Sequence, residues 1–348
     1  MKQSLILKEN TTTDLGLKEI LQSLPKELLA PNVYVYYIDL ILFALIGNVT
    51  LVIAAFTELF SAQFYVLMIA CVLSLYRISF FIHETTHCGK KIKGFNWTYN
   101  LLHGFLHKLP SYAYTPHLNH HNLNTFGTEK DPEYEKIGGN PIWFNYIFLP
   151  LVPTLLVPFF LFLRWGILPI FLPFIGPTAR NLIYKHGSSI VINIRYTRDP
   201  PTQEERLDWY VQDLFCGLYT VGIMALLITN ILPLQFPLVW YMAIYFGNVM
   251  NVIRGNLEHK YYTEFKPSNQ KQVVLDSITI EPTVITKILF PIGLNFHALH
   301  HMVAMLPYHN LEKVHHWLLT WLPKDHPYRV TITANLYTAI KTQSRGEY

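Results

Sequence analysis

The sequence predicts an all-α integral membrane protein, with four transmembrane helices in two hairpins beneath a cytoplasmic helical cap that carries clustered histidines. Composition is the first reason. Of 348 residues, 51% are hydrophobic and 14% charged, against about 25% charged in soluble chains. The second is four apolar runs, near residues 36–56, 63–82, 214–232 and 236–253, each long enough to cross a bilayer as a helix. The third is charge placement. Four Lys and Arg precede the first run, 12 lie between the second and third, and ten follow from Arg254 onward, while loops 57–62 and 233–235 hold none. Cytoplasmic loops accumulate Lys and Arg, so both termini and every histidine cluster are expected on the cytoplasmic side.

Residues 1–33 read as a cytoplasmic N-terminal segment, polar and carrying Pro25 and Pro31, with leucines over 14–29 spaced for a short amphipathic surface helix. Residues 34–348 read as one membrane domain. The only charge in the second run is Arg77, expected to snorkel to the interface or to pair with a carboxylate. Residues 97–109 have helical amphipathicity and place His103 and His107 one turn apart; an interfacial helix near the substrate is expected there, rather than a metal site. Residues 141–177 are apolar but hold seven prolines. Proline disfavours a helix interior, so interfacial or re-entrant helices that do not cross are expected. Thr202 and Glu205 have capping-box spacing and mark a helix start ahead of the third run. A terminal helix is expected near 311–322.

Three stretches carry the chemistry: His83-Glu84-Thr85-Thr86-His87, His117-Leu118-Asn119-His120-His121 and His297-Ala298-Leu299-His300-His301. They supply eight of the 16 histidines. Residues three and four apart share a helix face, and imidazole is the commonest protein ligand for iron, zinc and copper. Eight converging imidazoles are too many for one ion and fit two ions sharing a site. His309, His315 and His316 follow at a distance and are expected at the interface or surface. Cys71, Cys88 and Cys216 form no Cys-x-x-Cys, so neither a disulfide framework nor a thiolate zinc site is indicated. The mixed, polar N-terminus shows no cleavable signal peptide. Nothing in the pattern calls for nucleic acid.

These clusters, their order and their separations resemble the membrane fatty acid desaturase family, over about residues 61–319. The resemblance extends to Asn119-His120-His121-Asn122 with Gly127 and Asp131-Pro132-Glu133, to His300-His301-Met302 with Pro307-Tyr308-His309-Asn310-Leu311, and to Arg254-Gly255-Asn256-Leu257-Glu258-His259. It implies a di-iron centre of two iron ions, with O2 as co-substrate. It also implies a ninth ligand, His259, beside His83, His87, His117, His120, His121, His297, His300 and His301. The implied reaction takes in O2 and two electrons and gives a cis double bond in a fatty acyl chain and two waters. Glu84, Asp131, Glu133, Asn256 and Glu258 are candidates to orient imidazoles, or else surface carboxylates and helix caps. Asn256 stands near a family asparagine that reaches one iron through water. No dinucleotide fingerprint, flavin site or iron–sulfur cysteine set is present. Electrons are therefore expected from an external donor of ferredoxin or cytochrome b5 type, docked on the basic face.

Other readings stay open. The same centre can hydroxylate or ketolate a lipid or carotenoid, although the sterol desaturase and fatty acid hydroxylase group sets its first two clusters closer than the 29 residues between His87 and His117 here. A metal transporter would place its ligands at mid-membrane. His83 to His87 also satisfies HExxH, the signature of a zinc protease, which would need neither of the other clusters.

Overall fold

The computed structural model describes residues 16–345 apart from 90, 136, 138, 139, 194 and 262–266. Its first long helix, α1 (Val33–Phe56), starts where the Asn32 side chain accepts from the amides of Tyr34 and Val35, satisfying donors that a helix start leaves free. Ser61 does the same for α2 (Ala62–Ser79), which runs on past Phe80 as α3 (Phe81–His87). The first hairpin closes tightly at Gly47. A Cβ there would fall 2.6 Å from Leu75 Cδ2 and 3.3 Å from the Leu75 amide nitrogen, the small-residue contact by which membrane helices approach. Arg77 pairs with a carboxylate: its Nε and Nη2 reach Asp39 of α1 at 2.9 and 2.5 Å, and the Tyr308 hydroxyl donates to the same carboxylate at 2.8 Å. The opposite face of α1 leaves Ile38, Ile41, Leu42, Leu45 and Val49 exposed, an apolar stripe that suits lipid.

The N-terminal amphipathic stretch is two short helices, Leu17–Ser23 and Lys26–Leu29, parted at Leu24 and Pro25. Residues 14 and 15 of that expectation lie outside the described residues. The stretch expected to lie at the interface leaves Trp97 and Leu101 exposed and turns its two histidines inward. Helix Phe95–Tyr99 continues through a π turn, Asn100–Gly104, to Phe105–His107, and His103 and His107 are wholly inaccessible. His103 Nε2 lies 2.9 Å from Ser79 Oγ and His107 Nε2 lies 3.0 Å from Asn48 Oδ1. Trp240 donates to His107 Nδ1 at 3.2 Å. These polar partners on the long helices hold the segment inward.

Among the described residues, five helical segments are long and apolar enough to cross a membrane: Lys26–Phe56, Ala62–His87, Phe144–Phe174, Gln203–Ile228 and Phe236–Gly255. Four were expected, and the extra one is the proline-rich stretch. Its prolines disrupt α geometry without ending the helix. Turns alternate as π (Phe144–Phe148), 3-10 (Pro153–Leu156), α (Val157–Leu161) and π again (Phe162–Ile167). Each proline removes one amide donor, and the neighbouring turn widens or tightens around it. Inside this segment Arg164 is buried and donates to Asp213 at 3.1 Å, to Tyr112 Oη at 2.9 Å and to Ser188 Oγ at 2.7 Å. Tyr112 in turn donates to Asp213 at 2.7 Å. Arg164→Met would strand a fully buried carboxylate, so a loss of about 3–5 kcal/mol is expected, read as a lower unfolding midpoint in detergent.

Ahead of the second hairpin lies α4 (His117–His120). The hairpin is α5 (Gln203–Ile228) and α6 (Phe236–Gly255). The Thr202–Glu205 capping box forms as the spacing predicts, each side chain bonding the other's backbone amide. Beyond α6 the cap is built from α7 (Gln270–Asp276), α8 (His297–Met302) and α9 (Leu311–Trp321). Among the described residues its extended structure is a parallel pair, Thr279–Ile280 with Ile332–Thr333, and two antiparallel bridges, His259 with Ser277 and Thr279 with Phe296. Those bridges set His259 beside the start of α8.

Candidate metal centre

Nine imidazoles converge in two adjoining groups. His83, His87, His117, His121 and His300 form one; His120, His259, His297 and His301 form the other. Within each group the candidate ligand atoms all lie within 4.8 Å of one another. The rings of His121 and His301 stand 4.5 Å apart where the groups meet.

The HxxHH spacing explains the partition. On α4 and its C-cap, His117 and His121 are one turn apart and face the five-membered group, while His120 faces the other. On α8, His297 and His301 face the four-membered group and His300 crosses to the five. Positions i and i+4 stack on one face, and i+3 lies about 100° round from i+4. Each short helix therefore contributes to both groups. α3 adds His83 and His87 to the first, and the chain leaving α6 adds His259 to the second.

The donor set fits metal. Nε2 atoms approach at 3.0 Å between His83 and His300, 3.0 Å between His300 and His121, 2.9 Å between His117 and His121, 3.0 Å between His120 and His259, and 2.8 Å between His297 and His259. Two nitrogens about 2.1 Å from one ion stand about 3.0 Å apart at right angles and about 3.4 Å apart at the tetrahedral angle. The observed separations are of the size that nitrogens sharing one ion adopt. Among the described residues His87 Nε2 is buried with no hydrogen-bond partner, as a ligand atom aimed into a metal site would be.

The opposite ring nitrogens meet carboxylates. Nδ1 of His83 lies 3.1 Å from Glu84, that of His117 2.7 Å from Glu133, that of His120 3.0 Å from Asp131 and that of His259 3.0 Å from Asp276. His297 Nδ1 is 3.4 Å from Glu258, which also pairs with Arg254. Such contacts fix tautomer and ring orientation. Glu84 is held on its other oxygen by the Tyr36 hydroxyl at 2.5 Å. Asn256, expected near a metal, lines the cleft along with His83, and its Nδ2 donates to the Asn145 carbonyl at 2.6 Å. α6 ends at Gly255, which takes Asn256 out of helical register with His259. His103 and His107 join neither group. His309 accepts from the Asn32 amide at 3.0 Å and His316 is exposed, whereas His315 is buried, its Nδ1 2.7 Å from the Tyr328 hydroxyl, because α9 turns that face to the cap interior.

Burial, reinforced by neighbouring imidazoles, holds His117, His121, His297, His300 and His301 well below the usual histidine range, so they are neutral, as ligands must be. His120 differs. Burial lowers it, but Asp131, with Glu133 and Glu258, outweighs burial and holds it at about 9, so it gives up a proton when a cation arrives. Burial drives His259 well down and pushes Asp276 up to about 8. In both, burial disfavours the charged form.

Beside the imidazoles lies a cleft of about 1690 Å3, lined near the centre by Tyr76, His83 and Tyr114 and farther out by Phe160, Leu161 and Ile244. It exceeds the usual range for small-molecule pockets, about 300–1,000 Å3, and its apolar walls suit a long hydrocarbon chain.

An apolar helical scaffold whose buried histidines gather into two metal-competent groups beside such a cleft defines a class of membrane metalloenzyme. Comparison with known proteins gives the family. The fatty acid desaturase model matches residues 59–332, and the chain belongs to that family of lipid-modifying membrane oxidoreductases. It is also 30% identical over 335 residues, 95% of this chain and 93% of the relative, to a ceramide hydroxylase of Caulobacter vibrioides (strain NA1000 / CB15N).

Sequence reasoning missed Asp276 and Tyr36. Asp276 lies 17 residues beyond His259, with no motif linking them, and Tyr36 reads as one more apolar residue in the first run. A usable signal was a lone acid closing the apolar Val273-Val274-Leu275 stretch.

Proposed function

We propose that this chain is an O2-dependent di-iron lipid oxidase that introduces a double bond into a fatty acyl chain. The observation that carries the reading is the pair of adjoining all-imidazole groups beside an apolar cleft that His83 lines. His83, His87, His117, His121 and His300 would hold one iron; His120, His259, His297 and His301 would hold the other. Iron bound there supplies the O2-derived oxidant that an unactivated methylene requires and that no side chain provides. The protein's part is positional. Glu84, Glu133, Asp131 and Asp276 keep the imidazoles aimed inward, and the cleft walls hold one stretch of acyl chain near the centre and exclude water. Overall, O2, two electrons and two protons are consumed, and the lipid loses two hydrogens as two waters form. The electrons come from an external ferredoxin or cytochrome b5 type donor.

Hydroxylation is the second reading, favoured by the ceramide hydroxylase relative that covers 95% of the chain. One experiment separates the two: purified protein loaded with iron is supplied with reductant, lipid and 18O2. Desaturation gives a product two hydrogens lighter with the label in water; hydroxylation puts one labelled oxygen in the lipid. O2-independent conversion, or none, would overturn both. The zinc protease reading lacks a free base, because Glu84 is engaged by His83 and Tyr36.

The proposed topology has four crossings, with both termini and the centre cytoplasmic. Three apolar segments separate His120 from His259, yet their Nε2 atoms lie 3.0 Å apart. An even number of crossings returns the chain to the same side, so one of the three turns back, and Phe144–Phe174 with its prolines is the segment suited to it. The Lys and Arg distribution supports the orientation.

A further inference from the structure

The cleft has a polar side that the metal chemistry does not use. On α6, Gly247, Asn248 and Asn251 line it, within a helix otherwise apolar enough to cross a membrane. Amide side chains in such a helix are costly unless they find partners. Each of these two has one end of its amide committed. Asn248 Nδ2 donates to the Ile244 carbonyl at 2.8 Å. A carbonyl only accepts, so the side-chain orientation is fixed and Oδ1 is left over. Asn251 Oδ1 accepts from Arg254 Nε at 3.2 Å and Nη2 at 3.1 Å. A guanidinium only donates, so here Nδ2 is left over. Among the described residues neither spare atom has a partner, and both side chains are half-buried beside the cleft.

The helix thus presents a wholly free acceptor oxygen on Asn248 and a wholly free donor nitrogen on Asn251, three residues apart and about 5–6 Å between their Cβ atoms. That is the complement of a secondary amide, whose N–H donates and whose C=O accepts. Gly247 leaves room for it: a Cβ there would have no atom within 4 Å. The second anchor also leads back to the metal centre, because Arg254, which fixes Asn251, pairs with Glu258 beside His297.

We propose that Asn248 and Asn251 recognise the amide of an N-acyl lipid, with Asn248 Oδ1 accepting from the substrate N–H and Asn251 Nδ2 donating to its C=O. An ester or thioester lipid has the carbonyl but no N–H, and leaves Asn248 Oδ1 unmatched. The proposal rests on the lipid-oxidising reading and narrows its substrate to amide-linked lipids.

The test is competition binding to the iron-loaded, detergent-solubilised protein, using an N-acyl sphingoid base and its O-acyl ester analogue against a fluorescent fatty acid probe. Wild type is expected to bind the amide lipid roughly tenfold more tightly, the size of one hydrogen bond. Asn248→Leu is expected to weaken the amide lipid alone and close the gap. Asn251→Leu is expected to weaken both lipids, since both carry the carbonyl, and to leave the gap open. Equal binding by wild type, or equal weakening of both lipids by Asn248→Leu, overturns the proposal. O2-dependent turnover is scored separately on the same preparations. A binding preference without oxidation sinks the oxidase reading and keeps the amide site; oxidation without a preference does the reverse.

Discussion

His120→Ala is expected to remove one of two irons per chain and abolish lipid oxidation, whereas His300→Ala abolishes oxidation with a smaller loss of metal. The asymmetry follows from the partition of ligands. Without His120 the four-imidazole group keeps His259, His297 and His301. Without His300 the five-imidazole group still has four nitrogens, as many as its neighbour has natively. Losing a partner outside the ligand shell already costs about 10–100-fold in metal affinity or activity, and losing a ligand costs more. Metal analysis of the purified variants, beside wild type at about two irons per chain, reads the difference. One zinc per chain, retained in both variants and lost in His83→Ala, would sink the di-iron reading. Metal loss no greater in His120→Ala than in His300→Ala would sink the partition.

What the sequence made legible followed from periodicity and spacing. The first hairpin, the last two long helices, the capping box at Thr202 and the eight histidines of the three clusters were visible, because each rests on local geometry: apolar length, an i, i+3 cap, or one helical turn between imidazoles; His259 was suggested only by the family resemblance. The interleaving of the groups was latent in HxxHH, since a spacing of three beside one of four makes a short helix face two ways. Other features were not legible along the chain. The spacing of His103 and His107 gave an amphipathic helix, but it did not show that Ser79, Asn48 and Trp240, far off in sequence, meet their rings. Residues 144–174 were expected not to cross as one straight span, and nothing in the pattern showed that π and 3-10 turns would carry their prolines. Asn256 was placed near a metal by its distance from His259, and its bond to the Asn145 carbonyl has no signature in sequence. The partners of the two histidines and of Asn256 are tertiary, and pattern along the chain does not encode such partners.

Asp276 tests whether the carboxylates behind the imidazoles act on the metal. It is buried on α7 and meets His259 Nδ1 at 3.0 Å, yet belongs to no recognisable motif. If it only positions the ring, Asp276→Asn should be nearly silent, because an amide oxygen can still accept from Nδ1–H. If its charge also strengthens the imidazole as a donor to the cation, Asp276→Asn should bind iron about 10–100-fold more weakly at the four-imidazole group, and Asp276→Ala should be weaker still. We expect the second pattern, since in this buried setting a carboxylate is drawn to its charged form only by a cation nearby. Replacing a buried acid with a neutral amide removes no packing, so the unfolding midpoint of metal-free Asp276→Asn should match wild type, separating metal affinity from folding. Glu133→Gln, acting through His117 Nδ1 at 2.7 Å, should weaken the five-imidazole group instead and leave the other iron in place. Iron titrations in which both Asp276 variants match wild type would show that His259 needs no carboxylate, or that it is not a ligand.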